Sequence, residues 1–115
     1  MQITPIRLDP EFTHIALSGR LDAGGMQGQE VKFTGYTAGR RKPALVDLSQ
    51  VEFIGSLGIG LLVSNAKSLR GHGTTLVLLN PSESVDKVLR TTGIDQVIPI
   101  VQTLEDGLRL LARSA

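Results

Sequence analysis

The chain has 115 residues, a formal net charge of +1, 3% aromatic residues and no cysteine or tryptophan. That length suits one domain, 1–115, with one core. The balanced charge implies no polyanion-binding surface and no nucleic-acid partner, and the lack of cysteine excludes disulfides and thiolate metal sites. Nothing resembles a signal peptide and no apolar run reaches membrane length, so a cytoplasmic protein without membrane insertion is expected.

Ile3 to Leu8 alternates and reads as a strand. Asp9-Pro10-Glu11 is a turn, since proline fixes φ and aspartate favours turns. Phe12 to Ser18 alternates again, closing a hairpin. Gly19 to Asp22 should then leave the sheet, with Asp22 placed to cap a helix. A helix over Gln27 to Ala38 follows, shortened or made irregular by Gly28 and Gly35, each of which costs a helix about 1 kcal/mol relative to alanine. Arg40-Arg41-Lys42, the only basic run, reads as a solvated loop.

Ala44 to Leu48 is a buried strand, closed by Asp47-Leu48-Ser49. Val51 to Ile54 carries the chain to Gly55-Ser56-Leu57-Gly58, where a helix begins. Ile59, Leu62, Val63, Ala66 and Leu69 share one face of that helix, and Leu57 falls off it. Ser56 precedes the periodic run, where an N-cap belongs. Its hydroxyl would stand beside unpaired N–H groups and the positive end of the helix dipole, a favourable place for a phosphate.

Gly71-His72-Gly73 ends the helix. Thr74 to Leu79 is apolar on both faces, as in a covered parallel strand. Ser82 should cap a helix carrying Val85, Val88 and Leu89, with Gly93 at its end. Ile94 to Val101 reads as an edge strand, confined there by Pro99. Thr103-x-x-Asp106 has the spacing of a helix start, and Leu104, Leu108 and Leu111 should face inward. The expected order is ββαβαβαβα, an α/β mixed sheet of about five strands with about four helices.

Two bland readings compete with function in the Ser56 loop. Gly55-x-x-Gly58-x-Gly60 has the spacing of neither GxxxxGK[ST] nor GxGxxG, and close packing of helix on sheet explains its glycines more economically. Gly55-Ser56-Leu57-Gly58 is not a GxSxG elbow, and no His/Asp pair is placed to serve it. Ser56 itself serves equally as a structural cap. His14 and His72 lie far apart without ligand spacing, so no metal and no cofactor are expected.

The same residues resemble the signature of STAS domains, found in anti-sigma-factor antagonists and in the cytoplasmic tail of sulfate transporters. Asp47-Leu48-Ser49, Val51, Phe53-Ile54, Ser56 and Gly58 match its pattern, and Gly19-Arg20-Leu21-Asp22-Ala23 is similar to its Gly-x-Leu-Asp turn. Gly55 stands where the family usually has Asp, and Leu57 where it has Ser or Thr. The resemblance implies a STAS fold and a non-enzymatic protein-binding role. Its unmodified form would bind a GHKL-type anti-sigma factor serine kinase and free a sigma factor. Phosphorylation of Ser56 would end the complex, and a phosphatase would reset it. Asp22, Gly55, Ser56, Leu57, Gly58 and Ile59 would form the partner surface. The two departures leave open an unphosphorylated scaffold subunit of a transporter or signalling assembly. A nucleotide- or anion-binding domain, with at most weak nucleotide affinity, is the alternative of another class.

Overall fold

The computed structural model describes residues 1–113. Its strands are β1 (Gln2–Leu8), β2 (Thr13–Leu21), β3 (Ala44–Ile54), β4 (Leu76–Leu79) and β5 (Ile100–Val101). Its helices are α1 (Ala23–Met26), α2 (Glu30–Tyr36), α3 (Ser56–Gly71), α4 (Glu83–Thr91) and α5 (Leu104–Arg113). The five strands stand in the order β1-β2-β3-β4-β5. The β1–β2 hairpin is antiparallel, and β2 to β5 run parallel.

Strand alternation divides the core between the two faces of the sheet. Ile15, Leu17, Val46, Leu48, Leu76 and Leu78 point to one face, where Phe33, Leu62, Leu69, Val85 and Leu89 from α2, α3 and α4 cover them. Leu45, Val77 and Leu79 point to the other and meet Leu111 of α5. A Cβ on Gly107 would come within 2.8 Å of a Leu45 methyl, so the missing side chain lets α5 lie close to β3.

The hairpin turn forms as its composition dictates. Asp9 Oδ1 accepts from the backbone N–H of Glu11 and of Phe12, each at 2.9 Å. Arg40, expected in a solvated loop, is a fastener instead. Its guanidinium donates to Thr13 Oγ1 at 2.7 Å and to the Asp9 carbonyl at 2.5 Å. Arg41 and Lys42 remain exposed.

Several boundaries differ from expectation, each for a physical reason. The helix expected over 27–38 is only α2, Glu30–Tyr36, and a separate short helix, α1, precedes that range, giving five helices rather than four; Gly28, at φ 79°, stands in the break between them. β3 does not close at Ser49 but runs to Ile54, and β2 continues through Gly19 to Leu21 instead of leaving the sheet. These extensions satisfy each other: Gly19 pairs with Val51, Arg20 with Phe53 and Leu21 with Ile54. β4 begins at Leu76, not Thr74, and β5 is confined to Ile100–Val101, with Ile94–Gln96 forming a 3-10 turn. Leu104 is exposed rather than inward, while Leu111 is buried.

Caps follow their sequences in part. Thr103 Oγ1 accepts from Asp106 N at 3.1 Å, as expected. Ser82 stands at its N-cap position, but its hydroxyl donates to the Val51 carbonyl at 2.9 Å and so ties α4 to β3.

Candidate functional site: the loop at the start of helix α3

The ends of β2 and β3 meet where α3 begins. Gly55 N–H donates to the Leu21 carbonyl at 3.0 Å, locking the two strand ends together. This is the carboxyl edge of the parallel strands, the edge that carries ligand and partner sites in open α/β sheets. Gly58 brings the helix onto it. A Cβ there would stand 2.5 Å from the Leu21 carbonyl oxygen and 2.7 Å from Leu21 Cβ, so only glycine permits this approach. The close-packing reading of the loop glycines therefore holds at Gly58. It does not extend to Gly60, where a Cβ would meet nothing within 4 Å.

Ser56 is not the cap. Gly55 holds the N-cap position in extended conformation, and its carbonyl accepts from Ile59 N at 3.0 Å to close the first turn. Ser56 is the first helical residue, exposed, and its hydroxyl makes no hydrogen bond to another described residue. The strand running to Ile54 sets this register, and Gly55 supplies the non-helical residue that a cap requires. The consequence is chemical: an uncommitted hydroxyl stands at the positive end of a 16-residue helix.

Asp22 does cap, as expected. Its Oδ1 accepts from Gly25 N at 2.8 Å, and its Oδ2 takes an ion pair from Arg20 Nε at 2.8 Å. The Gly25 N–H first, and then Arg20, hold this carboxyl below the usual carboxylate range. The N-terminal ammonium of Met1 donates to the Gly25 carbonyl, adding a further tie to this turn. The Arg20 guanidinium also lies 4.4 Å from the centre of the Phe53 ring, a cation–π contact. A Cβ on Gly55 would stand 3.3 Å from that ring and 3.9 Å from Asp22 Cβ. Gly55 thus sits between Phe53 and Asp22, where a side chain would crowd the ring.

Leu57 is 57% exposed and Phe53 41%. Ile59 is half-buried against the core. Beside Ser56 and Leu57 lies a shallow groove of about 390 Å³, lined also by Met26, Glu30 and Leu61. Asp22, Gly55, Ser56, Leu57, Gly58 and Ile59 are therefore brought together at one edge, with Gly58 buried and contributing shape alone. Arg20 was absent from the sequence reading of this surface. Its signal was the i, i+2 spacing to Asp22, which places both side chains on one face of a strand end. Among the described residues no three His, Cys, Asp or Glu side chains converge as a metal site would need, and neither histidine stands in this loop.

A family model described as the STAS domain matches residues 5–107. A candidate anti-sigma factor antagonist of Thermotoga maritima is 33% identical over 66 residues, covering 57% of this chain and 58% of its own. The chain thus spans little more than half the length of that relative. The anti-sigma-B factor antagonist of Listeria monocytogenes is 29% identical over 104 residues, covering 80% of this chain and 81% of its own. Among solved structures, the anti-sigma factor antagonist SpoIIAA in its unphosphorylated form superposes with a TM-score of 0.73 at 21% identity, covering 93% of each chain. The phosphorylated form of SpoIIAA, a Bacillus cell fate determinant, gives 0.64 at 22%, covering 94% of this chain and 97% of its own.

Proposed function

The chain belongs to the STAS domain family, and we propose that it acts as an anti-sigma factor antagonist switched by phosphorylation of Ser56. The observation that carries this reading is the free, exposed Ser56 hydroxyl at the start of α3, flanked by exposed Leu57 and Phe53. The unmodified edge, with Asp22, Gly55, Leu57, Gly58 and Ile59 around the serine, binds an anti-sigma factor serine kinase of the GHKL type. The kinase transfers phosphate to Ser56, and a phosphatase removes it. The domain supplies a surface and an acceptor and performs no catalysis itself. A phosphate adds about −1.5 to −2 charge. Stabilised within the domain by the helix dipole, it would be costly to bury against a partner surface that has no matching cation.

The test uses Ser56→Ala and Ser56→Asp. Ser56→Ala should abolish phosphate incorporation and leave partner binding intact. Ser56→Asp should keep the fold and weaken the complex. Recovery of the native partner by pull-down, with mass spectrometry of Ser56, reads both. Absence of phosphate on native Ser56, together with wild-type binding by Ser56→Asp, would remove the switch.

A second reading, a scaffold that is never phosphorylated, is favoured by Gly55 and Leu57. Both stand where the family pattern has other residues, and the loop lacks the acid a kinase could read. Gly55→Asp should raise phosphorylation by the cognate kinase if that acid is what is missing. The Phe53 ring must shift by a few tenths of an ångström to admit it.

A further inference from the structure

The opposite end of α3 borders a depression of about 800 Å³ that the Ser56 loop does not reach. The 16-residue helix separates the two by roughly 24 Å at 1.5 Å per residue. We propose that this depression is a separate binding site for a small organic phosphomonoester with an apolar body.

Its volume lies within the range of small-molecule sites, which are mostly apolar with a few convergent polar groups. Phe12, Pro43, Leu108 and Leu111 contribute the apolar lining. Arg7, Arg41, Lys42 and His72 line it as well, and Glu11 is the one acid among the described lining residues. This excess is local, because the whole chain carries only +1.

The cations are not equivalent. Arg7 is already engaged, paired with Asp9 at 2.5 Å and stacked 4.8 Å from the Phe12 ring centre. The side chains of Arg41 and Lys42 make no hydrogen bond or ion pair to another described residue. Two unengaged cations match the charge of a dianionic phosphate head, and the Arg41 guanidinium offers the fork that binds two of its oxygens at once. His72 Nδ1 lies 2.8 Å from the Ser68 carbonyl, leaving Nε2 as the second polar atom of the ring.

The cationic loop is also preorganised. Arg40 anchors it to Asp9 and Thr13 on one side, and the Pro43 carbonyl accepts from Thr13 N at 2.8 Å on the other. Arg41 between them is held at φ 54°, a left-handed conformation uncommon for a residue with a side chain. A loop fixed before binding loses little freedom on binding.

The experiment titrates the full chain with phenyl phosphate and follows backbone amide shifts by NMR. Saturable shifts are expected at Arg41, Lys42, His72 and Thr74, with Gly55 to Ile59 unmoved. Inorganic phosphate should bind about tenfold more weakly or worse, because it leaves the apolar lining wet. Arg41→Gln and Lys42→Gln, both exposed changes, should each weaken phenyl phosphate by about tenfold, while Glu11→Gln should tighten it about threefold. Any one of four results overturns the proposal: no saturation at millimolar phenyl phosphate, equal binding of inorganic phosphate, shifts centred on the Ser56 loop, or affinities indifferent to Arg41, Lys42 and Glu11.

Discussion

Arg-Leu-Asp occurs twice in this chain, at 7–9 where β1 gives way to the turn and at 20–22 where β2 ends. The two copies build nearly the same local object. In each, arginine pairs with the aspartate two residues on, at 2.5 Å in the first and 2.8 Å in the second. In each, the arginine stacks on a phenylalanine, Phe12 at 4.8 Å and Phe53 at 4.4 Å. In each, the aspartate accepts backbone N–H groups that follow it. The leucines between them part company: Leu8 is 44% exposed and Leu21 is fully buried. Leu8 lies on the edge strand β1, whereas Leu21 lies under Gly58 of α3 and beside Ile54 of β3. Short-range chemistry thus repeats faithfully, and burial is decided by what the rest of the chain brings over it. One copy became a turn and the other the floor of the candidate partner site.

The sharpest way to break this pairing is at the leucines. Leu21→Ala should cost about 2–5 kcal/mol, and Leu8→Ala should stay within about 0.5 kcal/mol, by urea denaturation. Equal losses would show that burial at the two sites is alike. Next comes the lid over the second copy. Gly58→Ala should cost about 1–3 kcal/mol, because its methyl would meet the Leu21 backbone, which cannot rotate away.

The acids should behave alike and define a pH window. Asp9 is held below its ordinary value chiefly by the Phe12 N–H, and Asp22 chiefly by the Gly25 N–H. Each therefore binds a proton more readily in the unfolded chain. Their contribution is fully present above about pH 4 and is lost as pH falls through the lowered folded values. Thermal melts from pH 5 to 2 should show this decline, and Asp9→Asn and Asp22→Asn should each flatten it. A steep acid limb that survives both substitutions would assign it to other groups. The smallest effect is at Ser56, where Ser56→Ala should change stability by less than about 0.5 kcal/mol, because no cap bond is lost. A loss of 1 kcal/mol or more would restore the structural-cap role.

Much of this was legible in the residues alone. The order of strands and helices, the turn at Asp9, the cap at Asp22 and the burial of Leu62, Ala66 and Leu69 follow from periodicity and local hydrogen-bonding chemistry. The exposure of Leu57 also followed from helix phase. The burial of Asn65 did not. It lies in α3 with its Oδ1 2.9 Å from Thr37 Oγ1 and its amide donating to the Leu61 carbonyl at 3.0 Å. A polar residue is buried only where a distant partner awaits it, and no local pattern announces that partner. Gly58 and Asn65 are buried where periodicity favoured Ile59 and Val63, which are half-buried, because docking against Leu21 turns the helix toward its small residues.

The sequence determined where the chain turns, which segments extend or coil, and that Ser56 stands at a helix start, since these depend on groups a few residues apart. The tertiary structure decided that β2 and β3 extend together to Leu21 and Ile54, that Gly55 rather than Ser56 takes the cap, and that Arg20 and Phe53 flank the serine. Those outcomes depend on strand pairing and helix docking between segments some thirty residues apart, where a single close approach at Gly58 outweighs local preference.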